Sequence, residues 1–145
     1  MDETAVMSLM GGSRALRKRV RSLIDLAELI EAGLPRAAAQ HLRERLNLTE
    51  QEFARSLGVS AKTLQRLAKQ PGARLTPVQG DRLYRLARLT AFAEEVFENA
   101  ERAHQWLREP QRGLGNRAPL ALMQTEAGAR EVEDLLGRIE YGVFS

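Results

Sequence analysis

Cysteine is absent from the 145 residues, which rules out disulfides and thiolate metal sites and suits a reducing compartment. Histidine occurs only twice, at His41 and His104. No carboxylate pattern joins the two into metal-ligand spacing, and both read as solvated helical residues. Long apolar runs are missing as well: none approaches the roughly 18 to 20 residues that a membrane helix needs. The start, Met1-Asp2-Glu3-Thr4, is acidic where an export signal is basic, and the short apolar stretch behind it stops at Gly11-Gly12. These absences predict a cytoplasmic protein with no membrane partner. Strand signals are scarce, since β-branched residues are few and no stretch alternates cleanly. Gly113-Leu114-Gly115 follows no strand and leads into Pro119, which makes it a tight turn rather than a phosphate loop. No nucleophile–base pair, paired carboxylates or cofactor motif stands out, so neither an enzyme nor a bound cofactor or metal is expected.

What is present is apolar residue enough for a core, 43%, and charge enough for a hydrated surface, 28%. The net charge of +3 is spread unevenly. Basic residues outnumber acidic ones eight to six from Met1 to Leu48 and eight to three from Thr49 to Thr90; from Ala91 to Ser145 acidic residues lead, ten to six. A cationic middle and an anionic end suggest two different partners, the first a polyanion.

Helical periodicity runs through the chain. Leu16, Val20, Leu23, Ile24, Ala27 and Ile30 share one helical face, which predicts a single amphipathic helix closed by Gly33 and Pro35. On that reading the basic run from Arg14 to Arg21 is its solvated side, with contact to DNA or anionic lipid as the alternative. An Ala-rich helix follows over about 36–46. Thr49 with Glu52 and Thr76 with Gln79 have the spacing of capping boxes, Ser60 is a third N-cap, and Pro77 sits where its missing N–H costs nothing. From Pro77 a long helix is expected to about Glu98, then a second to Trp106-Leu107. The Gly/Pro/Arg-rich stretch from Pro110 to Pro119 is a turn. Thr125 caps a last helix with Val132, Leu135, Leu136 and Ile139 inward, and Gly142 ends it. Trp106, Leu114, Pro119 and Leu120 read as structural.

The most specific signal lies between Glu50 and Lys69. A helix-turn-helix packs two short helices steeply across a tight turn, which restricts particular positions. Ala54 is small where the helices cross, Gly58 tolerates the turn, and Phe53, Leu57, Val59, Leu64 and Leu67 fill the wedge. The outer positions of the second helix are polar: Ser60, Lys62, Thr63, Gln65, Arg66 and Lys69. Lys62, Thr63 and Arg66 are expected in the DNA groove, with Ser60, Lys69 and Arg74 on phosphate. One such module buries little surface, so a homodimer on a two-fold related site is predicted.

Beyond this motif come Arg74-Leu75-Thr76, then Arg82-Leu83-Tyr84-Arg85-Leu86-Ala87, Trp106-Leu107 and Pro110 to Gly115. They are followed by Ala118-Pro119-Leu120, Thr125-Glu126-Ala127-Gly128 and Arg138-Ile139-Glu140-Tyr141-Gly142. This ordered series, from about Gly33 to Val143, resembles the Xre-type antitoxins with a C-terminal toxin-binding domain, best known from Xre–RES pairs. The resemblance implies an antitoxin that silences a RES-type toxin, from an enzyme family that destroys NAD. It also implies that the complex represses its own operon by binding operator DNA. It places toxin contacts at Arg138, Ile139, Glu140, Tyr141, Gly142, Val143 and Phe144. The tail suits that role on its own chemistry, because aromatics past a helix-ending glycine have little local core to join and often anchor interfaces.

The expected architecture is all-α: an N-terminal helical arm over 1–32, a helix-turn-helix domain over 33–98, and a small helical toxin-binding domain over 99–145. The rival is a stand-alone transcriptional regulator whose C-terminal half senses a small molecule, which would need an apolar pocket with convergent polar groups. A third reading is a helical scaffold that binds only protein.

Overall fold

The structure, a computed structural model, describes residues 3–142. Every regular element in that range is helical. The α-helices are α1 (Glu3–Leu9), α2 (Gly12–Leu16), α3 (Leu23–Ala32), α4 (Arg36–Leu46), α5 (Glu50–Leu57), α6 (Ala61–Lys69), α7 (Pro77–Phe97), α8 (Ala100–Arg108) and α9 (Glu126–Glu140). Two 3₁₀ turns, Arg112–Leu114 and Pro119–Leu122, lie between α8 and α9.

Side-chain caps set most of the boundaries. The Thr49 and Thr76 hydroxyls each accept the N–H three residues on, while Glu52 and Gln79 reach back to the cap N–H at 2.9 Å, so both capping boxes form. Ser60, Asn99 and Thr125 cap α6, α8 and α9 in the simpler one-way fashion. Asn47 and Glu98 close α4 and α7 in the left-handed conformation.

One expected helix is two. Arg17 turns left-handed (φ 58°) at the end of α2, and α3 begins only at Leu23. The cause is local: the Ser22 hydroxyl accepts from Asp25 N–H, and an Asp25 carboxylate oxygen accepts from Arg21 N–H at 3.0 Å. Side chains of this kind offer the backbone an alternative to continuing a helix. The inward face changes with it. Leu26 and Leu29 are buried, whereas Leu23 and Ile24 stand 51% and 72% exposed.

Helix α7 is the centre of the molecule. Leu83, Leu86, Ala87, Leu89, Ala91 and Ala93 are buried around its circumference, and α1, α3, α5, α8 and α9 pack on it. Val6, Leu9 and Met10 of the segment expected as an N-terminal arm lie in the same core as Phe53 of α5 and Val132 of α9. Each such side chain contributes about 1.5–3 kcal/mol of burial. Near the start of α7, Gly80 allows close approach, since a Cβ there would lie 3.3 Å from Leu34 Cδ1. The two histidines are partnered, contrary to expectation. His41 Nδ1 lies 3.1 Å from the Leu9 carbonyl, and His104 Nε2 meets the Glu94 carboxylate at 2.5 Å between α8 and α7. Among the described residues no helix is long and apolar enough to cross a membrane, and no group of three or more His, Asp or Glu is placed to hold a metal.

Candidate nucleic-acid interface and C-terminal surface

The two helices α5 and α6 join through Gly58, whose φ of 66° explains the glycine. A second cause was not visible in the motif. Arg82 of α7 donates to the Leu57 carbonyl at 3.0 Å, and its Nη1 lies 2.6 Å from where a Cβ on Gly58 would stand. The turn is thus clamped from behind by the long helix. Phe53, Ala54 and Leu57 are buried, as the helix crossing requires, while Val59, Leu64 and Leu67 are half-buried.

Helix α6 itself has no fully buried residue. It rests over a cleft of about 620 Å³ floored by Phe53, Leu64, Leu67 and Leu75. Two polar contacts hold it there. Arg36 of α4 donates to the carbonyls of Leu67 and Ala68 in the last turn, and Gln65 Nε2 donates to Glu50 of α5 at 2.9 Å.

The predicted contact residues fall into two groups. Lys62, Arg66 and Lys69 are exposed and lie within about 60° of one another at roughly 100° per residue, a cationic stripe down the outer side of α6. Gln65 is exposed at the edge of that stripe, leaning towards Glu50. The others already have intramolecular roles. Ser60 and Thr63 share a hydrogen bond of 3.0 Å within the cap. Arg74 donates to the Gly33 carbonyl at 2.8 Å, where Pro35 and Arg74 form an isolated β-bridge. The stripe therefore offers cations with no partner among the described residues, and the flanking residues secure the frame beneath it.

The C-terminal part is built on three arginines, of which the motif series contains only Arg85 and does not explain it. Arg85 of α7 is buried; it donates to the Met123 carbonyl at 3.1 Å and lies 3.4 Å from Asp81 and 3.6 Å from Glu126. It fixes the chain just ahead of α9. Arg88 pairs with Glu133 of α9 at 2.7 Å. Arg108 of α8 meets both oxygens of Glu52 on α5, each at 3.0 Å, and so ties the C-terminal part to the helix-turn-helix. Burial pushes the Glu52 carboxyl up, but the Thr49 N–H and the Arg108 guanidinium outweigh it and hold the group below its ordinary range.

The turn from Pro110 to Pro119 closes on itself through Gln111 and Arg117, with Gly115 and Asn116 left-handed. Leu114, Pro119 and Leu120 are buried, and Trp106 is half-buried against Phe97, ring centroids 5.6 Å apart, which is the structural part expected of them. Gly128 explains the glycine of the Thr125–Gly128 motif: a Cβ there would lie 2.2 Å from the Leu122 carbonyl oxygen.

Of the predicted C-terminal contact residues, Arg138 and Ile139 are half-buried, while Glu140, Tyr141 and Gly142 are exposed. Ile139 packs on the core, and Arg138 carries a buried Nε with no hydrogen-bond partner among the described residues. Tyr141 is 81% exposed. Val143 and Phe144 lie outside the described residues.

A family model for the antitoxin Xre-like helix-turn-helix domain matches residues 25–88. A model for the antitoxin Xre/MbcA/ParS C-terminal toxin-binding domain matches residues 92–142. Antitoxin Xre of Yersinia enterocolitica is 34% identical over 121 residues, covering 83% of this chain and 81% of that protein. Antitoxin Xre of Photorhabdus laumondii is 29% identical with the same coverage. Antitoxin Xre of Pseudomonas putida is 31% identical over 140 residues, covering 90% and 86%. The chain belongs to the Xre family of antitoxins, with an Xre-like helix-turn-helix domain followed by a C-terminal toxin-binding domain.

Proposed function

We propose that this antitoxin neutralises a RES-type, NAD-degrading toxin encoded by the adjacent gene, and that it represses its own operon by binding operator DNA. It has no catalytic role of its own and acts in the cytoplasm. The observation that carries the reading is that the fold leaves two chemically distinct surfaces open. One is the cationic stripe Lys62, Arg66 and Lys69; the other is the C-terminal end at Glu140, Tyr141 and Gly142. The stripe suits phosphate and base edges, and a homodimer would present two stripes to a pseudo-palindrome. On the toxin, Tyr141 acts as an aromatic anchor, and Arg138 brings an Nε with no hydrogen-bond partner among the described residues. Val143 and Phe144 extend that contact, and Ile139 supports it from the core side.

Co-expression with the neighbouring gene, followed by pull-down and growth rescue, tests the first half. Tyr141→Ala is expected to weaken toxin capture about tenfold or more, as central aromatic anchors do, while operator binding is kept. Footprinting upstream of the chain's own gene tests the second half; an unprotected operator at low salt refutes autorepression.

A further inference from the structure

The basic run from Arg14 to Arg21, read from sequence as one side of a long helix, belongs instead to α2 and to a pinned turn. Buried Leu16 and half-buried Val20 hold it to the body, and Ser22 and Asp25 close it. Arg14, Arg17, Lys18, Arg19 and Arg21 all point into solvent. None of their side chains has a hydrogen-bond or ion-pair partner among the described residues, whereas Arg36, Arg74, Arg82, Arg85, Arg88 and Arg108 are all engaged. Arg45 of α4 joins the group: with Arg19 it lines a depression of about 390 Å³ whose walls include Ser8, Ser13 and His41 and, among the described residues, no acidic one.

We propose that this turn, with Arg45, is a second phosphate-contacting surface on duplex DNA, separate from α6 and indifferent to base sequence. The proposal rests on the DNA-binding reading above. Three features favour it. Most of the cations are arginines, whose planar fork matches phosphate oxygens. Helix α4 links the two surfaces, since its Arg36 grips the last turn of α6 while its His41 meets the α1 end and its Arg45 lines the depression beside the turn. The Arg21–Asp25 and Ser22–Asp25 hydrogen bonds fix the end of the turn, which reduces the conformational freedom lost on contact. An anionic bilayer is the rival surface, because Leu23 and Ile24 are exposed just beyond the turn. The break at Arg17 removes the continuous amphipathic helix that such binding generally uses.

The test uses the full chain and two duplexes of equal length, one from upstream of its own gene and one of random sequence. Affinity is followed across a salt series. Replacing Arg17, Lys18, Arg19 and Arg21 together with Gln should weaken both duplexes by the same factor, about tenfold at moderate salt, and flatten the log–log salt slope by about 2–4. The preference for operator over random DNA should be retained. Replacing the three arginines with Lys should restore the slope, and circular dichroism should report native helix in both variants. By contrast, Arg66→Gln should cut the operator preference. An unchanged slope in the Gln variant overturns the proposal, as does failure of the Lys variant to restore it. Loss of binding to phosphatidylglycerol vesicles with unchanged DNA slope overturns it in favour of a membrane. Failure of the unaltered chain to bind either duplex sinks the DNA-binding reading itself.

Discussion

At the residue scale, two glycines of α9 make opposite predictions. A methyl group on Gly128 would meet the Leu122 carbonyl oxygen at 2.2 Å, a backbone atom that cannot swing aside, whereas among the described residues nothing beyond its own helix and chain neighbours lies within 4 Å of the same position on Gly137. Gly128→Ala should therefore destabilise the protein by about 1–3 kcal/mol. Gly137→Ala should stabilise it by about 0.5–1 kcal/mol, because a helix-interior glycine gives up more freedom on folding than alanine. Urea unfolding of the two variants checks both signs. The sequence marks Gly128 as part of an ordered motif but not why it is glycine, because the reason is a contact between separate elements. Gly58 is the same case in part: its turn conformation is legible locally, while the Arg82 guanidinium behind it arrives from 24 residues away.

At the scale of elements, starts were legible wherever a cap marked them. Thr49, Ser60, Thr76 and Thr125 each begin a helix where the letters place one, since the hydrogen bond that starts the helix lies within three residues. The failure at 17–22 has the same origin: periodicity outweighed the shorter-range Ser22–Asp25 cap. Helix-to-helix ties are the part that could not be read. Glu52 and Arg108 stand 56 positions apart, and nothing in either neighbourhood announces the pair. Because the folded Glu52 carboxyl titrates below its ordinary 4.5, the pair supports the fold above that value, and the support is lost as pH falls through the folded value. Glu52→Gln should thus be less stable than the parent at neutral pH, with the gap closing in acid. Thermal melts across a pH series would check this, and a gap that widens in acid would reverse the sign argued here.

For the whole molecule, the all-α class followed from periodicity, but the place of the first residues did not. Val6, Leu9 and Met10 look like a short apolar stretch with no destination, and their destination is the core around α7. Leu9→Ala should cost about 2–5 kcal/mol, the usual range for a buried leucine. It should also lower one shared unfolding transition, followed by Trp106 fluorescence and by helix content together; two separated transitions would refute a common core. Helix α7 carries a further consequence. Its 21 residues make a stiff strut about 30 Å long that belongs to both parts of the protein, with no flexible tether between them. A cargo docked beside Tyr141, as proposed, would be carried at one set bearing and reach from whatever α6 grips, so crowding between neighbouring cargoes would be decided by the geometry of this single helix.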